Sequence, residues 1–245
     1  MIKAPDLGIS LLLSLFLMSC SSSRSGTTGG NGGAGGGLSQ SYTTNFPLAE
    51  TSLSEAGRWI NGGTVGLDWD NVQTQVNFAL GTSPTGKFTD STAVLAGTWA
   101  ADQSAEATVR IRAENLDCCH EVELRLRTTI LPHSITGYEI NCSVAKRQPY
   151  IEIVRWNGVL NNFTYVARRN GTGCADRDVL KATIVAGTII VFKNEAEMLR
   201  GSDNNYASGA PGIGFYETDK NVGYYGFSSF TASQDGKPST RSPAF

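Results

Sequence analysis

The chain has 245 residues, of which 17% are charged, and its formal net charge at pH 7 is only −2. A near-neutral chain without a basic stripe lacks the electrostatic footprint of a nucleic-acid-binding protein, so no nucleic acid is expected as a partner. Glycine is abundant, at 28 residues, and beyond the N-terminal region it falls between short apolar runs, a pattern typical of an all-β protein with many turns.

Residues 1–20 resemble a bacterial lipoprotein signal peptide. Lys3 supplies a positive charge, and Leu11–Met18 form an apolar run that is too short to span a bilayer. The run ends in Leu17-Met18-Ser19-Cys20, which resembles a lipobox, in which the cysteine is lipidated and becomes the new N-terminus. The alternative is an ordinary cleaved secretory signal.

The next residues, 21–40, are rich in glycine and serine and are predicted to form a flexible tether, because this composition cannot bury apolar surface. A folded domain is expected over residues 41–233, followed by a C-terminal tail over 234–245. The predicted location is the cell envelope, with the membrane as a partner through the lipid anchor. Ser21 directly after the cysteine resembles the pattern of proteins sent to the outer membrane or cell surface.

Short apolar and β-branched runs, several with strict polar alternation, recur about every 8 to 15 residues along the domain. The predicted strands lie at 43–46, 59, 65–69, 72–80, 94–99, 105–112, 120–129, 138–144, 150–156, 163–168, 179–185, 188–193, 212–216 and 223–232. Residues 194–200 are predicted to form at most one helical turn. About a dozen strands at this spacing imply an all-β fold of two packed antiparallel sheets.

The later strands resemble those of a known fold family. A strand ending in Asn194 leads through Asp203 to the segment Ser208-Gly209-Ala210-Pro211-Gly212-Ile213-Gly214-Phe215, which resembles the closing half of a laminin-G-like or concanavalin A-like sandwich. The resemblance covers roughly residues 42–233 and implies a two-sheet antiparallel jelly roll. Lectins, adhesion modules, glycosidases and lyases all use this fold, so the resemblance does not specify one function.

One predicted strand, residues 120–129, carries four charged side chains on a single face: Glu121, Glu123, Arg125 and Arg127. The opposite face is apolar, with Val122, Leu124 and Leu126. Because Glu123 and Arg125 point away from this apolar set, we expect them to affect binding but not folding. The alternative is a solvated sheet face with cross-strand ion pairs.

The resemblance implies that this charged face lines a sugar groove on the concave sheet. Neighbouring strands then add Glu139, Asn141 and Ser143, together with either Glu152 and Trp156 or Arg155. The predicted ligand is a polysaccharide or surface glycan. Trp156 ends a strand, where its ring is suited either to stack on a sugar or to cap the edge of the core.

A non-catalytic role is favoured, with an enzyme as the alternative. Candidate catalytic residues are Glu121, Glu123 and Arg125, but the segment 121–126 only partly resembles the Glu-x-Asp-x-(x)-Glu motif of retaining glucanases, since it lacks the last glutamate. Val122-Glu123-Leu124-Arg125 resembles half of an alginate lyase motif, without the accompanying Gln-x-His strand. His120 is expected to be buried in the core.

Four cysteines of the domain, in an exported chain, suggest disulfides: Cys118, Cys119, Cys142 and Cys174. We predict that one of the adjacent pair bonds Cys142 and the other bonds Cys174, the alternative being that some are free thiols. No cofactor is expected. A structural Ca²⁺, common in this fold family, would suit the oxygen-rich loops 68–71 and 203–205.

These observations favour a surface-tethered, non-catalytic binding module for a carbohydrate or a cell-surface partner. The first alternative is a polysaccharide lyase or glycoside hydrolase that uses the charged strand Glu121–Arg127. The second is a structural or adhesive lipoprotein without a small ligand.

Overall fold

The computed structural model describes residues 39–82, 89–113, 116, 119–217 and 223–234. These residues belong to one compact unit, 38–245. The expected signal peptide, the lipidation site Cys20, nearly all of the tether and residues 235–245 of the tail lie outside the described residues. Within the described part of the chain, no helix has the length and hydropathy needed to cross a membrane.

The described residues form many short strands and one helical turn. In chain order they are β1 (Ser41–Thr44), β2 (Trp59–Asn61), α1 (Gly62–Val65), β3 (Gln73–Gln75), β4 (Phe78–Leu80), β5 (Thr89–Leu95), β6 (Gln103–Ile111), β7 (Glu121–Leu131), β8 (Ser134–Ser143), β9 (Tyr150–Gly158), β10 (Phe163–Asn170), β11 (Val179–Val185), β12 (Thr188–Lys193), β13 (Ala196–Ser202), β14 (Ala210–Glu217) and β15 (Tyr225–Gln234).

The strands form two antiparallel sheets. Sheet A has the order β13-β12-β11-β6-β15-β4-β3, with β1 also pairing with β15, and sheet B has the order β10-β9-β8-β7-β14-β5-β2. This arrangement confirms the predicted all-β sandwich. The long central strands of sheet B, β7 to β9, come from one continuous stretch of sequence, whereas β14 joins them from the C-terminal part of the chain.

The core lies between the two sheets and is filled by the apolar alternate residues of their strands. Val122, Leu124 and Leu126 of β7 are fully buried. Phe215 of sheet B packs against Phe227 of sheet A, with ring centroids 5.3 Å apart. Since successive side chains of a strand point to opposite faces, burying these residues directs the charged residues of β7 to the outer face of sheet B.

Three predicted elements differ from those observed. Residues 72–80 form the hairpin β3–β4, with Asn77 at a positive φ of 60° in its turn. Of residues 65–69, predicted as a strand, Val65 ends α1 and residues 66–69 are irregular chain. Asn194 and Glu195, with φ of 51° and 70°, form a two-residue hairpin turn of the type that matches strand twist. Residues 196–200, predicted as part of a helical turn, therefore belong to the strand β13.

A disulfide joins Cys142 of β8 to Cys174, with the two Cα atoms 5.7 Å apart. The prediction of at least one disulfide is confirmed, but the predicted pairing is wrong, since these two cysteines bond each other. The Cys174 amide also donates a hydrogen bond of 2.8 Å to the carbonyl of Ser143, the last residue of β8. Cys119 is also disulfide-bonded, and Cys118 lies outside the described residues.

Candidate functional site

The outer face of sheet B carries a cleft of about 710 Å³, named here the sheet-B cleft. Its floor is built from alternate residues of five neighbouring strands: Asp90, Tyr216, Glu121, Glu139, Asn141, Glu152 and Trp156. Its wall includes three side chains of the edge strand β10: Phe163, Tyr165 and Arg168. The loop residues Gln148, Pro149 and Asn161 complete the rim, together with Tyr150 at the start of β9.

Five of the eight predicted ligand-binding residues line this cleft: Glu121, Glu139, Asn141, Glu152 and Trp156. The structure also decides between the two faces of β9. Glu152 and Trp156 point into the cleft, whereas Arg155 lies on the other face and forms an ion pair of 2.5 Å with Asp203. Strand alternation therefore brings together residues from β7, β8 and β9 as the sequence predicts.

Glu123 and Arg125 are on the predicted face but are completely buried, each with 0% exposure. The expectation that their side chains are accessible to a ligand is therefore wrong. The Arg125 guanidinium bridges the carboxylates of Glu123 and Glu139. It also lies over the ring of Trp69, 5.1 Å from the centroid. Trp69 comes from the loop after α1, so a distant segment covers this ion network.

The ion network fits because β14 has a glycine beneath it. A Cβ built on Gly214 would contact Glu123 Oε2 and would lie 2.6 Å from Arg125 Nη2. Gly214 pairs directly with Glu123 in the register of β14 and β7. The glycine thus leaves room for two long charged side chains to lie flat against the sheet.

Arg127, also predicted to bind ligand, does not line the cleft. A register shift between Leu126 and Thr129 interrupts the pairing of β7 with β8, and Arg127 has a positive φ of 48°. Its guanidinium donates to the carbonyls of Ala101, over 2.6 Å, and Tyr206, over 2.9 Å. The bulge therefore re-aims Arg127 into a structural role.

Trp156 stands at the boundary between the cleft and the covered ion network. It is only 7% exposed, and its Nε1 donates a hydrogen bond of 2.6 Å to Glu139 Oε2. Its ring packs edge-on against Trp69, with centroids 4.8 Å apart, and against Phe163 at 5.3 Å. Trp156 therefore presents one part of its ring to the cleft while the rest is held by packing.

Phe163 and Tyr165 extend this aromatic surface along the edge strand. They are 40% and 53% exposed and contact each other with ring centroids 5.4 Å apart. Neither residue was among the predicted ligand-binding residues. The signal was available, since two aromatic residues at positions i and i+2 of a predicted strand share one face.

Glu121 and Asp90 have perturbed acidities. Burial raises the pKa of Glu121 to about 8, although a hydrogen bond from the Tyr150 hydroxyl opposes the shift. This carboxyl is therefore largely protonated at neutral pH. Burial also raises the pKa of Asp90 to about 6, opposed by the charge of Arg125. Asp90, Tyr150 and Tyr216 were missed by sequence analysis because nothing local indicates that they meet on one face.

Arg168 is the cation of the cleft wall. Its Nη1 forms an ion pair of 2.5 Å with Glu152 Oε1. The guanidinium also lies over the rings of Tyr150 and Tyr165, at 4.8 Å and 5.9 Å from their centroids. Arg168 therefore holds a carboxylate of the floor and two aromatic rings of the wall in fixed positions.

In the two loops predicted to bind a metal ion, 68–71 and 203–205, the side chains of Asp68 and Asp203 bind protein groups. Asp203 accepts hydrogen bonds from Tyr138 and Asn205, in addition to its ion pair with Arg155. Asp68 binds His133 Nδ1 at 2.8 Å. Among the described residues, no group of three or more His, Cys, Asp or Glu side chains is arranged to hold a metal ion. His120 lies in the core against the ring of Tyr225, as predicted.

The two antiparallel sheets form a sandwich with a concanavalin A-like fold. It is similar to the carbohydrate-binding module CBM66 from Bacillus subtilis, with 14% identity and a TM-score of 0.50 over 75% of this chain and 96% of that one. It is also similar to the exoplasmic/lumenal domain of VIP36 in its Ca²⁺/Man3GlcNAc-bound form, with 11% identity and a TM-score of 0.53 over 82% and 93% of the two chains.

A third similar structure is the carbohydrate recognition domain of Emp46p in its potassium-bound form, with 12% identity and a TM-score of 0.52 over 75% of this chain and 91% of that one. At these identities the likeness shows the fold alone. No protein-family model and no curated protein sequence matches the chain.

Proposed function

We propose that the domain is a carbohydrate-binding module whose ligand lies in the sheet-B cleft. The observation that carries this proposal is the combination of three aromatic side chains, Trp156, Phe163 and Tyr165, with the carboxyl and amide groups of the cleft floor. Aromatic faces pack on the C–H surface of sugar rings, and polar groups fix the hydroxyls. The similar structures include carbohydrate-binding and carbohydrate recognition domains, which supports the same reading.

The arrangement favours binding over catalysis. Two of the three candidate catalytic residues, Glu123 and Arg125, are fully buried and bound to each other, so they are out of reach of a substrate. A lyase acting on uronate polymers would need a cation to neutralise the substrate carboxylate, and Arg125 is already occupied by two carboxylates.

A glycoside hydrolase is the second candidate, because one observation favours it. The Glu121 carboxyl, whose pKa burial raises to about 8, carries a proton at neutral pH, as a general acid must. Glu152 lies in the same cleft as a second carboxyl group. Release of reducing ends from a bound glycan, abolished in a Glu121→Gln variant, would support this candidate over simple binding.

A glycan array tests the binding proposal directly. We expect the wild-type protein to bind at least one glycan, and Tyr165→Ala to weaken that binding, since the side chain is exposed in the cleft wall. Tyr224 is similarly exposed, at 45% against 53% for Tyr165, and does not line the cleft. Tyr224→Ala is therefore the matched control. Equal binding by both variants would place the site elsewhere, and no binding at all would favour an adhesive role without a small ligand.

We further propose that Cys20 anchors the domain in the cell envelope, at the outer membrane or cell surface. The support is the lipobox-like sequence that ends at Cys20 and the Gly/Ser-rich segment that follows it. Growing the native host with a clickable fatty acid should label the wild-type protein and leave Cys20→Ala unlabelled. Equal labelling of the two proteins would overturn the proposal.

A further inference from the structure

We infer that the sheet-B cleft selects glycans that carry free amino groups and discriminates against glycans that carry carboxylates. This inference rests on the proposed function and names the ligand class of the same site. Four carboxyl groups face the cleft, those of Asp90, Glu121, Glu139 and Glu152, against one guanidinium, that of Arg168, among its described lining residues.

The nearby cations are already bound. Arg168 pairs with Glu152 at 2.5 Å and stacks on Tyr150 and Tyr165. Arg125, beneath the floor, bridges Glu123 and Glu139. A uronic acid entering the cleft would therefore face carboxylates of like charge without an available cation to pair with, and it would lose its hydration there.

The charge balance stays negative when protonation is taken into account. Glu121 holds a proton at neutral pH because burial raises its pKa to about 8. Glu139 and Glu152 form ion pairs with Arg125 and Arg168, which offset their two charges, and Asp90 adds a third carboxyl group, whose pKa burial raises to about 6. Glu123 adds a further carboxyl group below the floor, and burial raises its pKa well above its usual range. A cationic ligand is thus favoured over a neutral one, and a neutral one over an anionic one.

Asn141 indicates where in the cleft an amino group would bind. Asn141 lines the floor and is only 6% exposed, and its buried Oδ1 atom has no hydrogen-bond partner. In the register of β8 and β9, Asn141 lies directly opposite Glu152, and such cross-strand neighbours have Cβ atoms about 4.5 to 5.5 Å apart. An amide oxygen beside a carboxylate offers two acceptors to an ammonium group, which has three donors and no acceptor.

The test uses the purified full-length protein and three families of oligosaccharide on one array, each in several linkages: glucosamine oligomers, their neutral N-acetylated or hydroxyl counterparts, and uronate oligomers. The expected order of affinity is amine, then neutral, then uronate. Uronate binding as tight as amine binding would overturn the inference while leaving the proposed function intact. Failure to bind the glucosamine oligomers when another glycan of the array is bound would also overturn the inference, whereas failure to bind any glycan would overturn the proposed function itself.

Two matched variants separate a specific site from general attraction between opposite charges. Glu152→Gln should lower the ratio of amine to neutral affinity by about tenfold, the value of one hydrogen bond to a charged group. Glu106→Gln is the control, because Glu106 lies on sheet A, where it pairs with Lys181 at 3.4 Å. Equal losses in the two variants would show that net charge alone attracts the amine and would overturn the inference.

Folding of each variant is checked by thermal melting before binding is compared. If Glu152→Gln does not fold, Asn141→Ala replaces it, because that change removes the second acceptor and leaves the Glu152–Arg168 ion pair in place. It should lower the same affinity ratio, and an unchanged ratio would count against the inference.

Discussion

Trp156 Nε1 donates a hydrogen bond of 2.6 Å to Glu139 Oε2, the oxygen that the Arg125 guanidinium also binds. The aromatic ring at the edge of the cleft is therefore held by the buried ion network under the floor. A substitution that disrupts the network should therefore change the position of the Trp156 ring in the cleft, even though Arg125 itself has no exposed surface.

Arg125→Met should destabilise the domain by about 3 to 5 kcal/mol, because it leaves the carboxyl groups of Glu123 and Glu139 buried without a counter-charge. Urea denaturation measures the change in the free energy of unfolding. Arg110→Met is the control, since Arg110 forms an ion pair with Asp176 at a side-chain exposure of 41%. Such a surface change should cost less than about 0.5 kcal/mol, and similar costs for the two variants would contradict a structural role of the network.

Gly214→Ala should cost about 1 to 3 kcal/mol, as expected when atoms are added to a packed site. The new methyl group would press on the charged ends of Glu123 and Arg125. In a Glu123→Ala background that contact is largely removed, so the same glycine change should cost clearly less. A double-mutant cycle on unfolding free energies measures this coupling. Additive costs would mean that the glycine does not serve the ion network.

The free energy of unfolding should fall as the pH rises from about 5 to about 9. The folded-state pKa of Glu121 is raised from 4.5 to about 8. Its contribution is therefore fully present below the unfolded-state value and is lost as the pH passes through the folded-state value. At about 1.4 kcal/mol per pKa unit, the effect is on the order of a few kcal/mol. Glu121→Gln, compared by urea denaturation at each pH, should flatten the dependence, and an unchanged slope would contradict this assignment.

The Cys142–Cys174 disulfide, with a sequence separation of 32, should stabilise the domain by roughly 3 to 4 kcal/mol through the reduced entropy of the unfolded chain. Replacing both cysteines by serine and measuring denaturation without reductant tests this value. Peptide mapping under non-reducing conditions tests the pairing itself. A cross-link from either of these cysteines to Cys118 or Cys119 would contradict the observed connectivity.

Most of the strands could be predicted because each one carries its own signal. The hairpin at Ala186 and Gly187 follows from a short turn between two β-branched runs, and its strands end at the predicted residues, Val179–Val185 and Thr188–Lys193. The segment 194–200 was predicted incorrectly because its polar composition resembles a helix start. The positive φ values of Asn194 and Glu195, which create the turn, are visible only in the fold.

The candidate site was predicted in part for the same reason. Alternation along β7 and β8 predicted that Glu121 and Asn141 lie on one face, but it left open whether Glu152 or Arg155 of β9 joins them. The edge strand contributed Tyr165 and Arg168, which sequence analysis did not connect to that face. They meet it because β10 pairs antiparallel with β9, a relationship that no local pattern records.

The sequence by itself determined the all-β class, most of the strands and which alternate side chains of a regular strand share a face, since a period of two residues is a local property of the chain. Only the tertiary structure decided what covers that face. Trp69 lies over Arg125, and Gly214 makes room for it from a neighbouring strand, so that Glu123 and Arg125 are buried while Glu121 lines the cleft. The same holds for the bond between Cys142 and Cys174. Burial and pairing depend on residues that are far apart in sequence and become neighbours only when the sheets assemble.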